Sequence, residues 1–78
     1  MANIEDKVRA HIANYLGIEM SEVTNDKRFE QDLDADSLDV VQLTMILEKE
    51  FQITISDDEM QGFVTVGDAI ESVKKQLS

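Results

Sequence analysis

Residues 36–51 read DSLDVVQLTMILEKEF, and this stretch decides the fold class. Its apolar residues recur every three or four positions, the spacing that places them on one face of an α-helix. Asp36 is the predicted N-cap of this helix, and a second carboxylate at Asp39 suits the positive N-terminal end of the helix dipole. The predicted apolar face consists of Leu38, Val41, Leu43, Ile46, Leu47 and Phe51.

Helical patterns also lie on both sides of this stretch. Before it, Asn3 is a predicted N-cap and Gly17 a predicted C-terminal stop. The helix between them would present Ile4, Val8, Ile12, Tyr15 and Leu16. After residue 51, two capping signals follow in quick succession.

The first of these signals is SDDE at residues 56–59, which matches the S-x-x-E capping box and predicts a short helix ending at Gly62. The second is TVGD at residues 65–68, which predicts a final helix. The apolar face of that helix would be formed by Val66, Ala69, Ile70, Val73 and Leu77.

The segments between these patterns are not helical in character. Residues 18–35 are mostly polar and aperiodic, and predict a long loop, a feature that in small domains is often functional. Residues 52–55 alone have strand-like composition, and they are too short and unpartnered to form a sheet. The sequence therefore predicts an all-α fold: a small four-helix bundle with a long loop between the first two helices and a short third helix, in a single domain spanning residues 1–78.

The charge of the chain is large and unevenly placed. Seventeen acidic residues stand against seven basic ones, for a net charge of −10. Between Phe29 and Val73 lie twelve acidic residues with Lys49 as the one base, a local net charge of −11. Such a surface repels nucleic-acid phosphates and anionic membranes, and attracts basic protein surfaces or cations.

Other function classes are excluded by composition. The chain has no cysteine, which rules out disulfides, thiolate zinc sites and a cysteine nucleophile. No apolar run approaches the roughly 20 residues of a membrane span, and the N-terminus lacks the apolar block of a signal peptide. We therefore expect a cytoplasmic protein.

No enzymatic constellation is evident. His11 is the one histidine, and neither a G-x-S-x-G elbow nor a glycine-rich phosphate loop is present. Asp32, Asp34 and Asp36 have the spacing of the first EF-hand ligands, but Ser37 and Leu43 replace the required glycine and glutamate. We predict no catalysis by this chain and no dedicated metal site, while looser cation binding by the carboxylates stays open.

Ser37 is the candidate functional residue. It follows the Asp36 cap, where the free backbone N–H groups and the helix dipole favour a phosphate ester. The carboxylates of Asp36 and Asp39 oppose a free anion there, but they do not prevent a covalent phosphodiester that points into solvent. On this evidence alone, Ser37 as an ordinary helix-start residue remains an alternative.

Residues 32–51, DLDADSLDVVQLTMILEKEF, resemble the D-S-L signature of acyl carrier proteins. The resemblance continues through residues 53–59 and 65–70, and covers essentially the whole chain. It implies a free-standing, bacterial-type carrier without catalytic activity. A separate transferase would attach 4′-phosphopantetheine from coenzyme A to Ser37, and acyl groups would be carried as thioesters during fatty-acid synthesis. A dedicated pathway such as polyketide synthesis, or an acidic module that binds divalent cations or proteins, is the alternative.

The resemblance also implies two sets of binding residues in a monomeric protein. Basic patches on the transferase and on fatty-acid synthesis enzymes would contact Asp36, Asp39, Val41, Gln42, Met45, Glu48 and Glu50. The pocket for the acyl chain would be lined by Phe29, Leu33, Leu47, Phe63 and Ala69. Each of these residues has core packing as an alternative role. The sequence departs from the family pattern at Asp34, where glycine is usual, and at Gln42, where glutamate is usual.

Overall fold

The described part of the chain forms four α-helices, as the sequence predicts. The computed structural model describes residues 3–78 and contains no strand within that range, only an isolated antiparallel bridge between Arg28 and Thr65. A 3₁₀ turn at Met20–Glu22 lies in the long loop. The helices are α1 (Ile4–Leu16), α2 (Ser37–Phe51), α3 (Asp57–Gln61) and α4 (Val66–Leu77).

Local capping explains where the helices begin. Asn3 accepts a hydrogen bond from the Asp6 amide at 2.8 Å, which caps α1 as predicted. Both α2 and α4 begin with complete capping boxes, formed by the predicted residues 36 and 39 and residues 65 and 68. The predicted box of α3 is only half formed. Ser56 accepts from the Glu59 amide, but the Glu59 side chain makes a different contact, described below.

The helices end in ways that the sequence indicates only in part. Gly17 ends α1 with a φ of 70°, the left-handed conformation that glycine adopts without a steric penalty. Gly62 ends α3, as predicted. Gln52 ends α2 with a φ of 54°, so a residue with a side chain occupies the left-handed position there.

A single hydrophobic core lies where α1 packs against α2 and α4. Its fully buried side chains include Val8 and Ile12 from α1, Leu47 from α2, and Val66 and Val73 from α4. Burial of these faces is the main favourable contribution to folding, because each helix alone is too short to be stable in water.

Three residues of the predicted apolar faces are exposed, and for these the sequence interpretation was wrong. Leu38 is 73% exposed. It lies five residues before the buried Leu43, which turns it by about 140° around the helix axis, away from the core. Leu77 is 43% exposed at the last position of α4. Tyr15 is 38% exposed, because its hydroxyl reaches the carboxylate of Asp39.

The long loop is anchored to the rest of the bundle at several points. Val23, Phe29 and Ala35 are buried in the core. The Phe29 amide donates to the Val64 carbonyl, and the Gly67 amide donates to the Asn25 carbonyl, both at 2.9 Å. A Cβ on Gly67 would lie 3.1 Å from that Asn25 oxygen, so this close approach favours glycine. These contacts therefore fix the path of the loop where it enters α2.

No helix within residues 3–78 combines the length and the apolar character that a membrane crossing requires.

Candidate functional site

Ser37 is the first residue of α2, and it is exposed to solvent. The turn that holds it is a reciprocal cap: the Asp39 amide donates to Asp36 Oδ1 at 3.0 Å, and the Asp36 amide donates to Asp39 Oδ2 at 3.2 Å. These two bonds satisfy backbone donors that a helix start otherwise leaves free. The cap therefore fixes the position of the Ser37 backbone while its side chain stays accessible.

The chain that leads into Ser37 is held equally firmly. Ala35 is only 1% exposed, and its amide donates to the Phe29 carbonyl at 2.8 Å. Asp34, just before it, has a φ of 58°, in the left-handed region that residues with a side chain seldom adopt. The buried anchor at Ala35 and the left-handed turn at Asp34 therefore fix the path of the chain just before the α2 cap and the exposed serine.

The carboxylates beside Ser37 are already engaged within the chain. Asp39 Oδ2 accepts from the Asp36 amide, and Asp39 Oδ1 accepts from the Tyr15 hydroxyl, both at 3.2 Å. Partial burial of the ring and the neighbouring Asp39 carboxylate raise the pKa of Tyr15, so this hydroxyl remains a donor over the neutral pH range. The carboxylates near Ser37 are therefore stabilised by hydrogen bonds from neutral donors and keep their negative charge.

A cavity of about 190 Å³ opens beside Ser37, between α2 and α3. Ser37 itself is part of its wall, and most of the other lining residues are apolar. The lining consists of Glu30, Ser37, Val40, Val41, Met60, Gln61 and Phe63. An apolar recess that begins at an exposed hydroxyl can receive an apolar chain attached through that hydroxyl.

Of the five residues predicted to line an acyl pocket, Phe63 lines this cavity. Phe29, Leu47 and Ala69 belong to the buried core instead, and Leu33 lines a surface depression near Ile18. The sequence interpretation did not include Val40, Val41 or Met60 in the pocket. Helical spacing would have indicated the first two, because they lie three and four residues after Ser37 and so share its side of α2.

The residues predicted for partner binding do not form one continuous face. Val41 and Met45 follow Ser37 at helical spacing, and Met45 is 55% exposed. The exposed Leu38 extends this stripe, although the sequence interpretation assigned it to the core. We call Leu38, Val41 and Met45 the apolar stripe. Gln42 is exposed beside it.

The acidic residues flank the apolar stripe on two sides. Asp39 and Glu50 lie on the edge of α2 that faces α1, where Glu50 contacts His11 at 3.0 Å. Glu48 is half-buried, and one of its oxygens accepts from the Ile55 amide at 2.8 Å. Asp36 is exposed at the N-cap. Every predicted acidic contact residue therefore also has a structural partner within the chain.

Within residues 3–78, no three side chains of the metal-binding types are placed to hold an ion together. The described part of the acidic surface therefore offers no ready-made cation site.

Comparisons with known proteins agree with this geometry. The family model for the phosphopantetheine attachment site matches residues 6–73. The acyl carrier proteins of Porphyromonas gingivalis strains ATCC 33277 and W83 are each 48% identical over 77 residues, which is 99% of this chain and 99% of theirs. A solved structure from Mycobacterium tuberculosis, of a protein assigned to the acyl carrier proteins, has a TM-score of 0.89 at 36% identity and covers 94% of this chain and 97% of its own.

The fold and the matched family model define a carrier domain, the class whose members hold 4′-phosphopantetheine covalently. The 48% identity with an acyl carrier protein, over 99% of both chains, identifies the family more specifically than the carrier-domain class does. The chain belongs to the acyl carrier protein family. This confirms the predicted fold class, the carrier function with its covalent 4′-phosphopantetheine, and the expectation of a carrier rather than an enzyme. As a family member, the chain acts with enzymes that exchange acyl groups.

Proposed function

We propose that Ser37 is the attachment residue for 4′-phosphopantetheine, and that residues 1–78 act as one carrier domain in fatty-acid synthesis. The observation that carries this proposal is the position of Ser37, exposed at the start of α2 and also in the wall of the apolar cavity. A transferase can reach the hydroxyl from solvent, and an attached chain can turn back into the protein. The residues present therefore fit the group.

Each side chain around Ser37 has a defined part in this role. Asp36 and Asp39 fix the helix start, so that the serine backbone is held in place and its hydroxyl is presented to solvent. The positive end of the α2 dipole stabilises the negative charge of a phosphodiester there. The bound group supplies a thiol for thioester chemistry, and since the chain has no cysteine, acyl groups would be loaded at one place only.

Intact-mass analysis tests the attachment directly. The protein is incubated with coenzyme A and a phosphopantetheinyl transferase of broad specificity, and we expect a single addition of the phosphopantetheinyl mass. Ser37→Ala should show no addition. Ser21→Ala is the matched control, because it removes another exposed serine hydroxyl, in the 3₁₀ turn, and should be modified like the parent. Modification of Ser37→Ala, or none of the parent, would contradict the proposal.

We further propose that the apolar stripe is the centre of the surface that docks the transferase and the fatty-acid synthesis enzymes. Its exposed Leu38 and Met45 supply apolar area near the attachment residue. The flanking carboxylates of Asp36, Asp39, Glu48 and Glu50 would attract basic patches on those enzymes. Electrostatic steering of this kind raises association rates without requiring tight binding, which suits a monomeric carrier that must release each enzyme in the cytoplasm.

Charge removal that keeps an acceptor oxygen for the backbone amide tests this docking surface. Glu48→Gln keeps an oxygen that can accept from the Ile55 amide, and Asp39→Asn keeps one for the cap. We expect both variants to be modified more slowly than the parent at low salt, with the difference shrinking at high salt, because screening weakens steering. Glu5→Gln is the control: it removes the same charge on α1, where Glu5 pairs with Lys74. Equal effects of Glu5→Gln and Glu48→Gln would show that only net charge matters.

A further inference from the structure

The short helix α3 forms one wall of the cavity beside Ser37. Met60 of α3 faces the cavity opposite Val40 and Val41 of α2. None of the five residues of α3 is buried, so this helix has little apolar burial to hold it in place. Its position therefore depends strongly on individual polar contacts.

The polar contact in the middle of α3 joins it to α4. Glu59 does not return to the Ser56 amide, as a complete capping box would require, because its Oε2 accepts a hydrogen bond of 2.6 Å from the Ser72 hydroxyl. Ser72 is only 8% exposed and lies among the buried residues of α4. A short hydroxyl-to-carboxylate bond that is partly shielded from water is stronger than an ordinary neutral one.

Two further hydrogen bonds hold the segment that precedes α3, but not α3 itself. Gln76 donates to the Thr54 carbonyl, and the Ile55 amide donates to Glu48, both at 2.8 Å. These contacts fix the chain at residues 54 and 55. The chain after α3 is held as well, because the Val64 carbonyl accepts from the Phe29 amide at 2.9 Å. With both ends fixed, the middle of α3 can shift away from α2 when the contact between Glu59 and Ser72 is lost.

The size of the cavity makes such a movement relevant to the cargo. Its volume of about 190 Å³ is below the range of roughly 300–1,000 Å³ that is usual for ligand pockets. A short acyl chain fits a recess of this size, but a longer one requires the wall formed by α3 to move outward. The free energy needed for that movement includes the loss or distortion of the Ser72–Glu59 hydrogen bond.

We propose that the Ser72–Glu59 hydrogen bond is a latch on α3 that sets the length of acyl chain the bundle can shelter. This inference rests on the proposed attachment at Ser37, and Ser72 acts in it as a positioning residue without touching the acyl chain. The intact latch favours short chains. Its loss lowers the cost of opening α3, so longer chains are sheltered better.

The first test needs no acyl group. Amide hydrogen exchange is measured on the unmodified protein at Met60, Gly62 and Phe63, whose amides are bonded within the α3 turn. In Ser72→Ala these amides should exchange about fivefold faster, the ratio expected from loss of one hydrogen bond that restrains local opening. Amides of α1 should not change. Glu59→Gln retains an acceptor for Ser72 but loses the charge, so its exchange should lie between those of the parent and Ser72→Ala, whereas Glu59→Ala should match Ser72→Ala.

The control for hydroxyl removal is Tyr15→Phe, which deletes another hydroxyl that donates to a carboxylate on a different helix. It should leave α3 exchange unchanged. If Ser72→Ala does not fold, the Glu59→Ala and Glu59→Gln pair gives the same comparison. Unchanged α3 exchange in the folded latch variants would overturn the proposal.

The second test measures shelter of the cargo. Butyryl, octanoyl and hexadecanoyl thioesters are loaded onto parent, Ser72→Ala, Glu59→Gln and Tyr15→Phe proteins, and thioester cleavage by hydroxylamine is timed. In Ser72→Ala the hexadecanoyl thioester should be cleaved more slowly than in the parent and the butyryl thioester faster. Tyr15→Phe should follow the parent, and Glu59→Gln should lie between the parent and Ser72→Ala. An equal change for all chain lengths, or none, would overturn the latch. Absence of any loading on the parent would instead refute the attachment at Ser37.

Discussion

The left-handed turn at Asp34 gives the sharpest quantitative prediction. Asp34 has a φ of 58°, directly before the buried Ala35 and two residues before the cap of α2. For a residue with a Cβ, the left-handed conformation costs roughly 1–2 kcal/mol, and glycine avoids that cost. The perturbation is therefore Asp34→Gly, compared with Asp34→Ala, since both remove the same charge and differ only in the backbone preference.

The expected magnitude follows from two opposing contributions. Relief of the steric cost favours the glycine variant by roughly 1–2 kcal/mol, while the greater freedom of glycine in the unfolded chain subtracts about 0.5–1 kcal/mol. The two ranges leave a difference of about 0–1.5 kcal/mol, and we expect Asp34→Gly to be more stable than Asp34→Ala by the midpoint of that range, about 0.75 kcal/mol. In a domain of this size, that difference raises Tm by about 2–8 °C.

Urea denaturation followed by helical circular dichroism measures the free energy of unfolding of both variants. A parallel pair, Gln52→Gly and Gln52→Ala, tests the same reasoning at the other left-handed residue, which has a φ of 54° at the end of α2, far along the chain from Ser37. The glycine variant should be the more stable of each pair. An alanine variant at position 34 as stable as the glycine variant would refute the steric account of this turn.

Three further predictions concern stability. Thr65→Ala should lower the free energy of unfolding by about 1 kcal/mol, because it removes the cap that accepts from the Asp68 amide, and Thr65→Ser should restore most of it in urea denaturation. Backbone and side-chain hydrogen bonds from Arg28 lower the pKa of Asp32. The ionised carboxylate therefore stabilises the fold at pH values above the ordinary carboxyl pKa of about 4. That stabilisation is lost as the pH falls through the lowered pKa of Asp32. Asp32→Asn should therefore be less stable than the parent near pH 7 and converge with it in acid. Millimolar magnesium should raise Tm by relieving carboxylate repulsion across the region of net charge −11, and an unmoved Tm would contradict this.

The helices were predictable because their signals are local. An N-cap and the residue it contacts are three positions apart, as at Asn3 and Asp6, so both partners can be read from the same short stretch. Apolar periodicity likewise reports which side of a helix is buried without reference to the other helices. Ser37 was predicted for the same reason, since the cap, the helix start and the motif all lie within a few residues.

The sequence interpretation was wrong, or incomplete, where a side chain's partner lies far along the chain. Glu59 matched a local capping box, but its carboxylate contacts Ser72, thirteen residues later. Leu38 fitted an apolar pattern and is exposed, because α1 covers a different side of α2. The lining of the cavity also depends on where α3 packs, and no local pattern specifies that packing.

The sequence by itself determined the all-helical architecture, the helix starts, the concentration of negative charge and the serine at the head of α2. Only the tertiary structure decided which residues surround that serine, which leucines face solvent, and how α3 is held against the bundle. The physical reason is the range of the interactions. Backbone hydrogen bonding and capping act within one helical turn, whereas burial and contacts such as Ser72–Glu59 depend on segments that meet only when the chain folds.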